Sequence, residues 1–179
     1  MPESAFIVPV PEAEPHVSHY REQYDSSARL GVPAHITVLY PFMPPEHITA
    51  QVLERVRSSI SYAREFAFRL AEVGRFPGVV YLVPRPSDSF VSLTRAITLA
   101  FPAYPPYRGQ HTGVVPHLTV AQTGEPKQSE IAAEMNRALE KSGDITSFCR
   151  ELVLIENSAG RWEKMHVFPL ASSSQTDGS

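Results

Sequence analysis

A four-residue pattern, His-apolar-Thr-apolar, occurs twice in the chain, as His35-Ile36-Thr37-Val38 and as His117-Leu118-Thr119-Val120. Each copy follows a proline, Pro33 or Pro116, and each is succeeded by the same order of signals. After the first, Ile48, Val52, Val56 and Ile60 recur four apart and predict a helix. A strand, Gly74-Arg75-Phe76 and a strand ending at Val83-Pro84 come next. After the second, Ile131, Met135 and Leu139 predict a helix, followed by a strand, Gly160-Arg161-Trp162 and a strand ending at Phe168-Pro169. The spans from His35 to Pro84 and from His117 to Pro169 are nearly equal. A single such tetrapeptide is weak evidence, but two at matching places in similar half-chains restrict the fold. A duplicated half can set its two motifs on opposite sides of a pseudo-twofold axis, facing one cleft.

The remaining elements follow from local pattern. Ala5–Val10, His35–Tyr40 and Pro116–Val120 read as strands, and Pro15–Ala28, Glu46–Tyr62, Ser89–Phe101 and Ser129–Lys141 as helices. Phe66–Val73 and Phe76–Val83 predict a hairpin turning at Gly74-Arg75, and Ile145–Glu156 with Trp162–Leu170 a final strand pair. Pro102–Pro116, rich in Pro, Tyr and Gly, predicts a long loop. Ala171–Ser179 reads as a disordered tail, leaving residues 1–170 as one domain whose repeats span about 31–84 and 113–169.

Bulk properties narrow the function. With 16 basic and 19 acidic residues the formal charge is −3, against the clustered cations of a duplex-DNA-binding surface. The one cysteine, Cys149, forms no intrachain disulfide and fits a reducing compartment. No apolar run reaches a membrane span, and the N-terminus lacks a basic segment before an apolar core, so no membrane association and a cytoplasmic location are expected.

Residues i and i+2 of a strand share a face, so His35 lies beside Thr37 and His117 beside Thr119. Two such strands bring two imidazoles and two hydroxyls around one point. Cleaving a phosphodiester without a metal needs a base for the attacking oxygen, an acid for the leaving oxygen and donors for the phosphoryl oxygens. Histidine titrates near pH 6.5, so one imidazole can be neutral while the other is protonated. Threonine hydroxyls donate without adding charge. A metal site is disfavoured, because the chain has neither a His-x-x-x-His pair nor a cysteine cluster.

The paired motifs resemble those of the two-histidine (2H) phosphoesterase superfamily, which includes the 2′,5′ RNA ligase-like proteins and cyclic phosphodiesterases. The resemblance covers the chain from about Ala5 to Leu170. It implies an α+β fold of two pseudo-symmetric lobes, each an antiparallel sheet with flanking helices, around a cleft. It implies His35 and His117 as the catalytic pair, Thr37 and Thr119 as the phosphate-binding hydroxyls, and no metal or organic cofactor. The implied chemistry is opening of a 2′,3′-cyclic phosphate or a related cyclic phosphodiester of a nucleotide or RNA end. Reversible 2′,5′ joining of RNA ends and non-catalytic binding of a phospho-nucleotide or RNA end are the alternatives.

Other residues are candidate substrate contacts. Arg75 with Phe76 and Arg161 with Trp162 hold matching places in the two copies, each offering a cation for phosphate and a ring for a base. Tyr40, after the first motif, and Tyr107, in the long loop, could border the cleft. The expected partner is a small nucleotide or RNA end, bound by a monomer.

Overall fold

The computed structural model describes residues 1–111 and 113–173. Its strands are β1 (Ser4–Pro9), β2 (His35–Leu39), β3 (Phe66–Phe76), β4 (Val79–Arg85), β5 (Leu118–Gln122), β6 (Ile145–Cys149), β7 (Glu151–Glu156) and β8 (Glu163–Pro169). They form one antiparallel sheet in the order β6-β3-β4-β5-β2-β1-β7-β8. The helices are α1 (Glu14–Tyr24), α2 (Ser26–Arg29), α3 (Ala50–Ser59), α4 (Asp88–Ala100) and α5 (Lys127–Ser142). The class is α+β, as expected.

The two four-stranded halves, β6-β3-β4-β5 and β2-β1-β7-β8, meet where Ile36 pairs with Leu118. Each half contains one motif strand, β5 or β2, but the β2 half takes its strands from the two ends of the sequence and the β5 half takes β3 to β6 from the middle. The chain therefore crosses between them. The predicted single strand over Ile145–Glu156 is in fact two: β6 pairs with β3, whereas β7 pairs with β1. Only Arg150 separates them. One residue can join a sheet's edge strand to a strand beside its other edge only if the sheet curls until those edges approach.

Alternation of side chains gives the sheet two different faces. Phe6, Val8, Ile36, Val38, Leu118, Val120, Leu152 and Leu154 join the main core with helix residues such as Val17, Val56, Phe90, Leu93 and Met135. Ala5, Ile7, Val153 and Ile155 form a smaller cluster on the opposite face, with Val32. On this second face Tyr40, Trp162 and Val167 pack against the cluster. The Thr94 hydroxyl of α4 donates to the Val38 carbonyl at 2.8 Å, tying β2 to the helical layer.

Three local expectations are corrected. The β3–β4 turn is at Pro77-Gly78, where Gly78 has φ 77°, and not at Gly74-Arg75, which lie within β3. The predicted helix over Pro15–Ala28 breaks at Asp25, whose extended backbone lets its carboxylate cap α2 through the Ser27 N–H at 2.9 Å. The predicted disordered tail, Ala171–Ser179, is bonded to the domain at its first residue: the Ala171 N–H donates to the Ala63 carbonyl at 3.1 Å and its own carbonyl accepts from the Glu65 N–H at 2.9 Å. Residues 174–179 of that tail lie outside the described residues.

The break at Asp25 also creates a buried ion pair. Arg21 Nε meets Asp25 Oδ2 at 3.0 Å with both side chains at most 3% exposed, and Arg21 also donates to the Val32 carbonyl at 3.1 Å. Removing one partner of a buried pair leaves an uncompensated charge, at a cost of about 3–5 kcal/mol. Asp25→Ala should lower unfolding stability by that order in urea titration. Arg21→Met together with Asp25→Leu should recover part of the loss, because neither charge then remains buried alone.

Candidate active site

The site is built on the seam between β2 and β5. Because Ile36 pairs with Leu118 in antiparallel register, one further step each way sets His35 opposite Thr119 and Thr37 opposite His117. Directly opposed residues share a face and lie about 4.5–5.5 Å apart at Cβ. The burial pattern agrees: Ile36, Val38, Leu118 and Val120 are buried, whereas His35, Thr37, His117 and Thr119 are half-buried on the other face. The four form a diagonal square of imidazoles and hydroxyls.

Both imidazoles are held alike. His35 Nδ1 is 2.8 Å from the Pro33 carbonyl, and His117 Nδ1 is 2.7 Å from the Val115 carbonyl, two residues upstream in each case. A carbonyl only accepts, so Nδ1 carries the proton of the neutral ring and Nε2 keeps a free lone pair. Burial pushes the His35 pKa down to about 4; the Pro33 hydrogen bond opposes this, the Arg21 guanidinium adds to it, and Asp25 and His117 contribute with opposite signs. Burial lowers that of His117 as well, against its bond to Val115. Burial thus favours two neutral imidazoles, not the mixed pair expected from ordinary values.

A cavity of about 480 Å³ opens on this face. His35, Thr37, His117 and Thr119 all line it, together with Tyr40, Tyr107 and Trp162. The structure therefore brings together seven of the ten sequence candidates. The Trp162 ring stands 6.3 Å from that of Tyr40, near perpendicular, and the Trp162 backbone N–H donates to the Leu30 carbonyl at 2.8 Å. Tyr107 is carried by a turn with left-handed backbone at both Tyr107 and Arg108. Its N–H donates to the Tyr40 carbonyl at 2.7 Å, which anchors the long loop over the cleft.

The other three candidates stand elsewhere. Arg75 donates to Ser129 Oγ at 2.9 Å and faces Glu125 at 3.5 Å, away from the cavity. Arg161 lies 4.0 Å from Glu163 and against the turn at Gly31. Phe76 stacks on Tyr81 at 4.3 Å, and both rings stand 5.3 Å from the His117 ring. The close approach of Tyr81 to β3 needs Gly74, where a Cβ would fall 2.4 Å from the Tyr81 ring. Gly74-Arg75-Phe76 and Gly160-Arg161-Trp162 are thus not equivalent: the first ends a strand before its turn, the second follows one.

Several lining residues have no signal in the sequence pattern, namely Glu3, Asp25, Ser26, Ser27, Gln122 and Asn157. Among the described residues no three His, Cys, Asp or Glu side chains gather as a metal-ligand set. No helix among them is long and apolar enough to cross a membrane.

The fold is shared with solved structures. Escherichia coli LigT, solved with 3′-AMP, superposes with a TM-score of 0.61 at 16% identity, over 95% of this chain and 99% of that one. TT0787 of Thermus thermophilus gives 0.61 at 16% identity, over 96% and 99%. Usb1 of Kluyveromyces marxianus gives 0.52 at 9% identity, over 94% and 97%. Comparison with curated proteins finds no match. The model of the 2′-5′ RNA ligase superfamily matches residues 9–161, which hold both His-x-Thr motifs and most of the cleft, and the chain belongs to that superfamily.

Proposed function

We propose that the protein is a metal-independent phosphoesterase that opens 2′,3′-cyclic phosphates, or related cyclic phosphodiesters, of nucleotides or RNA ends. The observation that carries this reading is the matched pair of imidazoles, each tied through Nδ1 to a carbonyl two residues upstream and each beside a threonine hydroxyl, in one cavity. Binding alone would need donors, not two oriented bases.

In the proposed reaction a neutral imidazole accepts a proton at Nε2 from water as the water oxygen bonds to phosphorus. The P–O bond to one ribose oxygen breaks, and that oxygen takes the proton held at Nε2 of the second imidazole. The product is a phosphomonoester with a free neighbouring hydroxyl. Thr37 and Thr119 donate to the non-bridging oxygens, where charge develops. The second imidazole must be protonated before the reaction, although burial by itself disfavours this. The phosphate supplies the opposite charge, which raises the pKa of an adjacent imidazole.

A nucleoside 2′,3′-cyclic phosphate should be hydrolysed in the presence of chelator. His35→Ala and His117→Ala should each reduce kcat by roughly a thousandfold, since an acid or base contributes about 10²–10⁴. Mapping the product by NMR separates hydrolysis from joining of two ends. Retained activity in both variants would remove these residues from the mechanism.

The pH dependence carries a second expectation. The alkaline limb of kcat/KM reports the acid of the free enzyme, and that of kcat the acid of the complex. Because the bound anion raises the imidazole pKa, the limb in kcat should lie at higher pH than the limb in kcat/KM. Coincident limbs would show that the phosphate does not govern protonation.

A further inference from the structure

The cavity extends well beyond the phosphate-facing square, and it does so to one side. Alternate residues Glu3, Ala5 and Ile7 along β1 line it, as do Ile155 of β7 and Asn157 just after it. No described residue of β3 or β4 does. Ile7 pairs with Thr37, at the phosphate end. Glu3 is four residues away, about 13 Å at about 3.3 Å per residue. Such a trough matches one nucleoside in length, floored by apolar side chains and flanked by Tyr40 and Trp162.

Glu3 is fixed at the far end. Its N–H donates to Asn157 Oδ1 at 2.7 Å, and its carbonyl accepts from the Asn157 N–H at 3.1 Å. Its Oε2 accepts from the Tyr40 hydroxyl at 2.7 Å, and its Oε1 meets Arg108 at 3.1 Å. The Tyr40 hydroxyl is pushed up to about 12 by burial and by Glu3, so it remains a donor. Asp25, the other carboxylate of the lining, is matched at 3.0 Å by the buried Arg21. Arg108 is 69% exposed, so solvent screens its pairing with Glu3. Among the described lining residues there is no Lys or Arg. A ligand filling the trough therefore meets the charge of Glu3.

We infer that Glu3 determines specificity: it accepts a hydrogen bond from the distal hydroxyl or amino group of a mononucleoside cyclic phosphate and rejects a substrate carrying a second phosphate at that end. This rests on the function proposed above. A hydroxyl or amino donor to a carboxylate makes a charge-assisted bond. A second phosphate sets like charges together in a partly desolvated trough, which disfavours that substrate by about tenfold or more.

The test compares kcat/KM for a nucleoside 2′,3′-cyclic phosphate having a free 5′-hydroxyl with the same compound 5′-phosphorylated. The wild-type protein should prefer the hydroxyl form at least tenfold. Glu3→Gln, which retains the backbone bonds to Asn157, should shrink that preference to about threefold or less by gain on the phosphorylated form. Arg108→Gln, which removes the partial neutralisation of Glu3, should widen it. Equal use of both substrates by the wild-type protein, or a preference that Glu3→Gln leaves unchanged, overturns the inference. Calorimetric binding of a nucleoside 2′-monophosphate and the corresponding 2′,5′-bisphosphate reads the same discrimination without turnover. If neither cyclic compound is hydrolysed but the monophosphate binds about tenfold tighter, the catalytic reading fails and the role of Glu3 stands. Equal affinities overturn that role.

Discussion

The arrangement depends on a narrow seam, the antiparallel pairing of β2 with β5 at Ile36 and Leu118. Strand alternation does the rest. With Ile36 and Leu118 directed into the helical layer, the residues on either side must face the cleft, and all four are histidine or threonine. A slip of one residue would bury the imidazoles and expose the isoleucine and leucine. The buried face thus holds the register, and the register holds the site.

The proposed chemistry follows from how little net charge stands beside the imidazoles. Burial lowers both imidazole pKa values, and the Arg21–Asp25 pair beside His35 brings its positive and negative charges in together. The protein as a whole is mildly acidic. In the proposed reaction the anionic substrate is itself the charge that draws a proton onto one imidazole. Threonine hydroxyls serve such a site better than guanidinium groups would, since a fixed cation beside the imidazoles would depress their pKa further. The two sides of the site nevertheless differ. His117 stands against the Phe76–Tyr81 stack, whereas His35 lies beside the buried ion pair and the apolar trough.

The motif residues and most elements are legible in the sequence because strand alternation and helical stripes are local signals. His35 to Thr37 and His117 to Thr119 fall where the pattern places them. What was not legible depends on long-range partners. No Gly or Pro marks the change from β6 to β7 at Arg150 within the strand-like stretch Ile145–Glu156, so the return of the chain to the β2 half is hidden. The Pro77-Gly78 dipeptide is itself a turn signal, three residues beyond the Gly74-Arg75 pair at which the flanking strand runs predict the hairpin. Glu3 and Asn157 belong to no motif; the long-range antiparallel pairing of β1 with β7, which sets Ser4 opposite Glu156, brings them side by side at the cleft. Gly74 reads as a turn residue, whereas its place is set by the Tyr81 ring lying against it.

The central claim is that both imidazoles act on one phosphoryl group through Nε2 while Nδ1 stays bound to the backbone. Nitrogen-15 NMR of the histidine rings tests this directly during titration with a nucleoside 3′-monophosphate. The Nε2 signals of His35 and His117 should shift together, at one ligand concentration, with both Nδ1 protons retained. A shift at only one ring, or loss of the Nδ1 hydrogen bonds on binding, would contradict the account.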